Sequence, residues 1–227
     1  MAEAKHRPIR SFVRREGRLT PGQQRALERL WPRFGIDAGE GEIDLDAAFG
    51  RTAPRVLEIG FGDGESLLQT AAADPETDYL GVEVYRPGIG RLLKRLEEQG
   101  VENVRVAEAD AVQFLRRIAD GALVGVHIFF PDPWPKKRHH KRRLVQPPFI
   151  QALRRVLAPG GLLHLATDWE DYARHMLEVM GSAEGFANRA ADGGFSPRPA
   201  SRPPTKFEER GLRRGHGVWD LLYERVE

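Results

Sequence analysis

The sequence contains no cysteine, and this absence excludes several kinds of chemistry. Its 227 residues offer no thiol that could form a disulfide, act as a nucleophile or bind zinc. The seven histidines show no spacing such as H-E-x-x-H, so the sequence does not indicate a metal site. No apolar run is long enough to span a bilayer, and the charged N-terminus lacks the apolar core of a signal peptide. These absences predict a cytoplasmic protein that binds neither membrane nor metal.

Positive charge is concentrated in three short stretches, residues 5–18, 136–143 and 198–214. Each stretch contains six Lys or Arg, and the three together contain only three Glu. In the remainder of the chain, 30 acidic residues outnumber 17 basic ones. An acidic body with separate basic patches is typical of a protein that binds a polyanion at defined places.

The most informative motif is E-I-G-F-G-D-G at residues 58–64, directly after a short apolar run. Glycines at alternating positions, here Gly60, Gly62 and Gly64, allow the backbone to approach a ligand closely because they lack a Cβ. A dinucleotide-binding turn has the spacing G-x-G-x-x-G, whereas this turn has G-x-G-x-G and is preceded by Glu58. A carboxylate beside the ligand favours a cation over a phosphate. S-adenosylmethionine supplies such a cation through its sulfonium and amino groups.

The chain divides into an arm and one domain. Residues 1–19 are basic and show no sustained apolar period, so we predict a mobile arm. Residues 20–227 are predicted to form a single catalytic domain. Its first helix is predicted to begin after Thr20, with Pro21 at the first position and Gln23 completing a capping box. Residues 35–50 are rich in Gly and Asp and are predicted to be a connection.

From residue 51 onward, strand and helix patterns alternate. The predicted strands are 56–59, 78–84, 104–107, 125–130 and 161–166, and the predicted helices are 66–73, 88–99, 114–118 and 148–157. Such βαβ repetition with right-handed crossovers gives a parallel sheet with helices on both faces. Segments 186–190 and 218–224 alternate with period two, as antiparallel edge strands do. We therefore predict an α/β, Rossmann-like fold with a mostly parallel seven-stranded sheet and a C-terminal antiparallel strand pair.

Carboxylates lie at or just beyond the carboxyl ends of all five predicted parallel strands, as Glu58, Glu83, Asp110, Asp132 and Asp168. In an open parallel sheet the ligand lies beyond the carboxyl ends of the strands, so these side chains are predicted to share one edge. Glu83 comes about 20 residues after the glycine turn, where a ribose-binding carboxylate is expected. Asp110 and Asp168 are also placed to cap the helices that follow, and the sequence leaves both roles open.

The segment P-D-P-W at residues 131–134 is the predicted reaction centre. Its two prolines restrict φ and hold the segment rigid, while Asp132 can accept hydrogen bonds from a base edge and Trp134 offers a stacking face. Methyl transfer from a sulfonium needs the nucleophile, carbon and sulfur nearly in line, so rigid positioning suits that reaction. The alternative is a proline-rich loop whose Trp packs on the core.

A basic run, K-K-R-H-H-K-R-R, follows immediately at residues 136–143. Because it adjoins the predicted reaction centre, we predict phosphate contacts that dock a nucleic acid rather than an ordinary solvated face. We interpret the two histidines as members of the basic loop rather than as general bases. The third basic stretch contains P-P-T-K-F-E at 203–208, whose polar groups can hold a base or a phosphate.

Together these motifs resemble the bacterial tRNA (guanine-N7-)-methyltransferase family over nearly the whole chain after about residue 9. The motifs that carry the resemblance are R-S-F-V-R-R at 10–15, L-E-I-G-F-G at 57–62, G-V-E-V at 81–84, F-F-P-D-P-W at 129–134, H-K-R-R at 140–143, A-T-D-W at 166–169, R-P-A-S-R-P at 198–203 and T-K-F-E at 205–208. The resemblance implies the class I methyltransferase fold. It also implies transfer of the methyl group of S-adenosylmethionine to N7 of the guanine at position 46, in the variable loop of tRNA.

The resemblance further implies residue roles, with tRNA as the partner of a monomer or homodimer. Cofactor binding is implied for Glu58, Gly60, Gly62, Gly64, Glu83, Asp110 and Asp132, and Asp132 is also implied at the catalytic position. Substrate binding is implied for Lys136, Asp168, Thr205, Lys206, Phe207 and Glu208. Contact with RNA is implied for Arg138, His139, His140, Lys141, Arg142 and Arg143.

Three alternatives remain open at this point. An NAD-dependent dehydrogenase could use the same sheet, although the glycine spacing and the basic loop oppose it. A non-catalytic RNA-binding protein would need neither the glycine turn nor the carboxylates at the strand ends. A methyltransferase acting on a base amino group is the third, because P-D-P-W is similar in layout to a D-P-P-Y motif. An exocyclic amine must lose a proton during methylation, whereas guanine N7 carries a lone pair and no proton.

Overall fold

The computed structural model describes residues 11–12, 18–37, 39–204, 208 and 217–226. The α-helices in these residues are α1 (Pro21–Phe34), α2 (Leu45–Phe49), α3 (Glu65–Ala73), α4 (Arg86–Gln99), α5 (Ala111–Leu115), α6 (Pro147–Val156) and α7 (Glu170–Gly181). The strands are β1 (Gly35–Ile36), β2 (Arg55–Ile59), β3 (Asp78–Glu83), β4 (Val104–Glu108), β5 (Leu123–Phe129), β6 (Leu157–Thr167), β7 (Phe186–Asn188) and β8 (Trp219–Arg225). Most of the predicted arm, and Thr205, Lys206 and Phe207, lie outside the described residues.

The strands form one sheet in the order β1-β4-β3-β2-β5-β6-β8-β7. The first six are mutually parallel, while β8 is antiparallel to both β6 and β7. The predicted α/β fold with a C-terminal antiparallel pair is therefore confirmed. The described residues contain eight strands rather than seven, because Gly35 and Ile36 pair with Val106 and Ala107. Two residues are too few to produce a recognisable strand pattern in a sequence.

Local helix signals account for where several helices begin. The Thr20 hydroxyl accepts a hydrogen bond from Gln23 N, and the Gln23 side chain accepts one from Thr20 N, which confirms the predicted capping box. The predicted connection at 35–50 contains α2 as well as β1, and Asp44 caps α2 by accepting from Ala47 N at 2.9 Å. The helix predicted at 114–118 begins earlier, at Ala111, because Asp110 caps it. Helix α7 was not predicted.

Two apolar layers cover the two faces of the sheet. Leu57 and Ile59 of β2 belong to a cluster that includes side chains of α6 and α7. The opposite cluster joins α1, α3 and α4, with Leu67 and Leu92 fully buried. No helix in the described part of the chain combines the length and apolarity needed to cross a bilayer.

The centre of the sheet positions the site. After β2 the chain builds outward through β3 and β4, and it then returns to place β5 on the other side of β2. This reversal makes the gap between the carboxyl ends of β2 and β5 the topological switch point, where ligands bind in open α/β sheets. Glu58 lies in β2, and Asp132 follows β5.

Candidate active site

The predicted carboxylates lie at one edge of the sheet. They are in or directly after β2, β3, β4, β5 and β6, which are adjacent and parallel. The carboxyl ends of these strands therefore meet on the same side, as predicted from their spacing in the sequence. The structure brings together residues that are separated by as many as 110 positions, from Glu58 to Asp168.

The glycine turn presents open backbone at this edge. Gly60 and Gly62 have φ values of 75° and 58°, in the left-handed region that favours glycine. A Cβ built on either residue would meet no atom within 4 Å, so the side of the backbone that lacks a side chain faces open space. Gly64 is different, because a Cβ there would lie 2.8 Å from Leu92 of α4. Two glycines thus leave room for a ligand, and the third allows close helix packing.

Glu83 is held against the glycine turn by backbone donors. Its Oε2 accepts a hydrogen bond from Gly62 N at 2.8 Å, and its Oε1 accepts from Val84 N at 2.6 Å and Tyr85 N at 3.0 Å. The carboxylate predicted at the ribose position therefore adjoins the turn. Three backbone N–H groups fix its orientation, so little reorganisation is needed for it to accept further hydrogen bonds from a ligand.

Glu58 is a buried carboxylate with an unsatisfied oxygen. Its residue is 3% exposed, and its Oε2 has no hydrogen-bond partner among the described residues. Burial raises the pKa of Glu58 to about 8, because the charged form loses its hydration. A buried carboxylate of this kind is stabilised by a bound cation. The open glycine backbone and this orphaned oxygen together suit a ligand that carries positive charge.

The predicted reaction centre at 131–134, called the reaction segment below, follows one residue in a rare backbone conformation and ends at another. Phe130 and Trp134 have φ values of 52° and 48°, a region that costs non-glycine residues roughly 1–3 kcal/mol each. The segment is held at both ends: Phe130 N donates to Ala166 O at 2.8 Å, and Arg143 Nε donates to Pro133 O at 3.1 Å. Backbone strain that is supported in this way is typical of functional segments.

The Trp134 ring is contacted by side chains of the basic loop. The Arg142 guanidinium lies 4.9 Å from the ring centroid, and the His139 ring meets it edge-on at 5.9 Å. Trp134 Nε1 also donates to Ser11 O at 3.1 Å, which ties the described end of the N-terminal segment to the reaction segment. Arg142 thus occupies one face of the Trp134 ring, so only the opposite face is available for the predicted stacking of a base.

The basic loop contains a 3-10 helix, Lys137–Arg142, with Lys136 at its N-cap position. Lys136, Arg138, Lys141 and Arg142 are exposed, as phosphate-contacting residues must be, while His139 and His140 are half-buried. Desolvation is the largest cause that lowers the pKa of His139, and the neighbouring Lys and Arg cations lower it further. A neutral ring leaves the positive charge of the loop to its Lys and Arg side chains.

Arg143 is placed differently from its neighbours. The residue is 3% exposed, and its guanidinium pairs with Asp171 of α7, contacts His140 Nε2 at 3.2 Å and lies 4.8 Å from the Tyr172 ring centroid. Its side chain therefore lies under the loop and anchors it to α7. Sequence reasoning missed Asp171 and Tyr172, which lie 28 and 29 positions further along the chain.

The remaining predicted residues take varied positions. Asp110 Oδ1 accepts from Val112 N at 2.9 Å, so the capping role is present there. Asp168 does not cap α7, whose N-cap position is Trp169, and its side chain is half-exposed at the strand edge. Glu208 is buried and bound by Arg202. The described residues contain no group of three or more His, Asp or Glu arranged to hold a metal ion.

Comparisons with known proteins match almost the entire chain. A family model described as "Putative methyltransferase" matches residues 52–221. A protein of Alkalilimnicola ehrlichii, named "tRNA (guanine-N(7)-)-methyltransferase", is 62% identical, with 97% of this chain and 94% of that protein covered. Proteins with the same name from Halorhodospira halophila and Alcanivorax borkumensis are 61% and 58% identical, and each covers 96% of this chain.

Solved structures share the fold at low sequence identity. The 16S rRNA methyltransferase KamB superposes with a TM-score of 0.57 and 16% identity, with 86% of this chain and 99% of that chain covered. The antibiotic-resistance methyltransferase Kmr gives 0.56 and 20%, covering 85% and 96% of the two chains. At these identities the similarity concerns the fold alone.

Proposed function

Because the chain belongs to the tRNA (guanine-N(7)-)-methyltransferase family, we propose that it transfers the methyl group of S-adenosylmethionine to N7 of the guanine at position 46 of tRNA. The observation that carries the proposal is the open glycine backbone beside the buried, unsatisfied carboxylate of Glu58. This arrangement suits a cationic ligand. It argues against an NAD-dependent dehydrogenase, because the pyrophosphate of NAD is anionic.

The proposed cofactor site combines backbone and carboxylate groups. Gly60 and Gly62 would allow the cofactor to approach the backbone, Glu83 would accept hydrogen bonds from its ribose, and Asp110 would lie beside its base. Glu58 would balance its positive charge. Bound there, S-adenosylmethionine supplies an electrophilic methyl group on a sulfonium.

The chemistry requires no general base. The N7 lone pair forms a bond to the methyl carbon while the carbon–sulfur bond breaks, so the positive charge moves from the sulfonium to the purine. Asp132 would accept hydrogen bonds from the N–H groups of the guanine edge and stabilise the developing positive charge. The backbone hydrogen bonds at Phe130 and Pro133 would keep Asp132 in position, and positioning is the main contribution available to such a reaction.

The substrate would be held on both sides of Asp132. Lys136, Asp168 and the segment 205–208 would contact the guanine and its phosphates, and the exposed cations of the basic loop would contact further phosphates. Arg143 would act from below, by holding the loop to α7. We also propose that the enzyme is cytoplasmic, where tRNA is modified.

The proposal is tested by incubating the purified protein with unmodified tRNA and labelled S-adenosylmethionine. Reduction and aniline treatment then cleave the RNA only at 7-methylguanosine. Cleavage at one guanine of the variable loop would support reaction, cofactor and position together. Label without cleavage would indicate methylation of another atom, such as a base amino group, and no incorporation would favour an RNA-binding protein without this activity.

The substitution Gly88→Ala is expected to weaken cofactor binding at least about tenfold. A Cβ at Gly88 would lie 2.0 Å from Gly62 O, so α4 and the glycine turn would have to separate. Overpacking of this kind costs about 1–3 kcal/mol, and the contacted oxygen of Gly62 belongs to the backbone, which cannot rotate away. Isothermal titration with S-adenosylhomocysteine measures the change.

Gly22→Ala is the matched control. Gly22 is also in the first turn of a helix, α1, but a Cβ there would lie 4.0 Å from the nearest atom, Thr20 Oγ1. We expect this variant to bind S-adenosylhomocysteine like the wild type. Equal affinities for the wild type and both variants would show that the glycine turn does not set cofactor affinity.

The double substitution Arg138→Ser and Lys141→Ser is expected to raise the Kd for tRNA and to reduce its dependence on salt. Each lost phosphate contact should lower the slope of log K against log salt by about 1. Filter binding over a range of KCl concentrations gives both quantities. Turnover at saturating tRNA should change little, because these side chains are exposed and do not support the reaction segment.

Two further variants distinguish residues that contact tRNA phosphates from a residue that supports the reaction segment. Lys94→Ser removes an exposed cation on α4 and should leave the slope unchanged. Arg143→Met should leave the slope nearly unchanged but lower turnover, because Arg143 holds Pro133 O. If the salt dependence of tRNA affinity falls in Arg143→Met and not in the double variant, then Arg143 contacts phosphate and the exposed pair does not, which would contradict our assignments.

A further inference from the structure

Arg202 has the largest side chain among the fully buried residues of the described part of the chain. Its side chain is 0% exposed. An arginine is almost never buried to this extent unless every part of its guanidinium is paired. It lies within the third basic stretch, where the sequence alone suggests a surface cation for RNA. Its position therefore calls for another role than phosphate contact.

The Arg202 guanidinium binds two carboxylates at once. On one side, Nη1 donates to Glu208 Oε2 at 2.7 Å and Nη2 donates to Glu208 Oε1 at 3.0 Å. On the other side, Nε donates to Asp220 Oδ1 at 2.7 Å and Nη2 donates to Asp220 Oδ2 at 3.0 Å. Two bidentate contacts define both the distance and the relative orientation of Glu208 and Asp220.

Asp220 is itself fixed in the sheet. It lies in β8 in register with Ala166 of β6, and its Oδ1 lies 2.7 Å from His164 Nε2. Burial by itself would raise the pKa of Asp220, but the hydrogen bonds with His164 and Arg202 outweigh burial and lower it. Asp220 is therefore a buried, charged anchor on β8, between β6 and the edge strand β7, and Arg202 connects Glu208 to it.

The same guanidinium also contacts the base of the reaction segment. Its central carbon lies 5.8 Å from the ring centroid of Phe129 and 5.8 Å from that of Phe130. Phe130 has the strained φ of 52° and is two residues before Asp132. Arg202 thus contacts β8, Glu208 and the start of the reaction segment with a single planar group.

We infer that Arg202 is a positioning residue, which fixes the carboxylate of Glu208 relative to the segment that carries Asp132. The inference rests on the proposed function, in which Glu208 contacts the guanine. Arg202 would hold the carboxylate of Glu208 in one orientation, much as a carboxylate orients a catalytic histidine.

Arg202→Lys tests the inference, because it keeps the charge and removes the planar fork. We expect kcat per folded enzyme to fall about 100-fold, the size of effect that a displacement of about 1 Å can cause. The KM for tRNA should change less than about threefold, because phosphate contacts supply most of the affinity for nucleic acid. Titration with S-adenosylhomocysteine gives the concentration of folded sites, to which kcat is normalised.

Arg51→Lys is the matched control. Arg51 also binds a buried aspartate, with its Nε and Nη2 2.8 and 2.6 Å from Asp78 Oδ1, but at the opposite edge of the sheet. Both variants should lower the melting temperature. Only Arg202→Lys should lower kcat per folded site. If the two variants lose stability and both retain wild-type kcat per site, Arg202 is structural and the inference is wrong.

Asp220→Asn is the second variant, for use if Arg202→Lys does not fold. It keeps the shape of the anchor and weakens its hold on Arg202, so kcat per site should fall about tenfold with little change in KM. An unchanged kcat for this variant would also overturn the inference. The wild type is assayed first for 7-methylguanosine, because absence of that product would refute the proposed function without testing Arg202.

Discussion

Asp132→Asn is expected to lower kcat by about 100- to 1,000-fold, the loss seen when one preorganised electrostatic contact to a transition state is removed. Asparagine retains the shape of the side chain, and the segment should keep its conformation because Phe130 and Pro133 hold it through their backbones. What is lost is the negative charge that balances the purine cation as it forms. Single-turnover methylation of tRNA, with the product identified by aniline cleavage, measures the effect.

The pH dependence of that variant separates two mechanisms. If Asp132 stabilises charge, the residual rate of Asp132→Asn should not recover as the pH rises. If Asp132 removes a proton, hydroxide can replace it and the rate should increase with pH, which would contradict our mechanism. Asp120→Asn is the control, since Asp120 is 79% exposed and pairs with Arg155 away from the carboxyl edge of the sheet. It should retain wild-type turnover.

Glu58→Gln is expected to stabilise the cofactor-free protein at pH 8 while weakening cofactor binding. The pKa of Glu58 in the folded protein is about 8, raised by burial from a usual value of 4.5. Between these two values the folded protein holds a proton that the unfolded chain releases. Folding stability should therefore fall as the pH rises from about 4.5 to about 8, by about 5 kcal/mol in total.

Glutamine removes this dependence because it does not titrate. Urea unfolding at pH 5.5 and pH 8 should show a smaller loss of stability in Glu58→Gln than in the wild type. The groups nearest to Glu58 will not mask the effect. The pKa of Tyr79 on β3 is raised above its usual value by burial, and burial with His164 nearby lowers the pKa of His127 on β5 to about 3. Tyr79 does not titrate over this range, and His127 titrates there only in the unfolded chain. The contribution of His127 is the same in the wild type and in Glu58→Gln, so it cancels in the comparison.

Cofactor binding gives an independent readout of Glu58. A cationic ligand favours the ionised carboxylate, so binding of S-adenosylmethionine near pH 7 should release a proton. Calorimetry in buffers of different ionisation enthalpy detects that release, which should be absent in Glu58→Gln. Glu108→Gln, at an exposed position on the same edge, is the control and should behave like the wild type. Proton release that is equal in all three proteins would assign it to another group.

Features with a local cause could be predicted from the sequence. The capping box at Thr20 and Gln23 depends on residues three apart, and the glycine turn depends on residues two apart. The shared edge of the carboxylates also followed, because alternation of strand and helix determines which strand ends face the same side. The residues in the candidate site that are nearest to the glycine turn were thus accessible without coordinates.

The burial of Arg143 and Arg202 could not be predicted. Both lie in runs of positive charge, and such runs are usually exposed. Their burial depends on acidic partners, Asp171 and Asp220, which are 28 and 18 positions further along the chain. Without coordinates, nothing distinguishes these two arginines from neighbours that remain exposed. The short elements β1 and α2 were missed for a different reason, since two and five residues are too few to show a period.

The pairing of β2 with β5 has a consequence for how the protein folds. Glu58 and Asp132 become neighbours only when the chain between them, which contains β3, α4 and β4, has closed into a loop and β5 has paired with β2. Pairing across such a loop is entropically costly and slow relative to local structure. A cofactor analogue should therefore bind only after the central strands have assembled. The rate at which binding appears during refolding would then measure the rate of that late step.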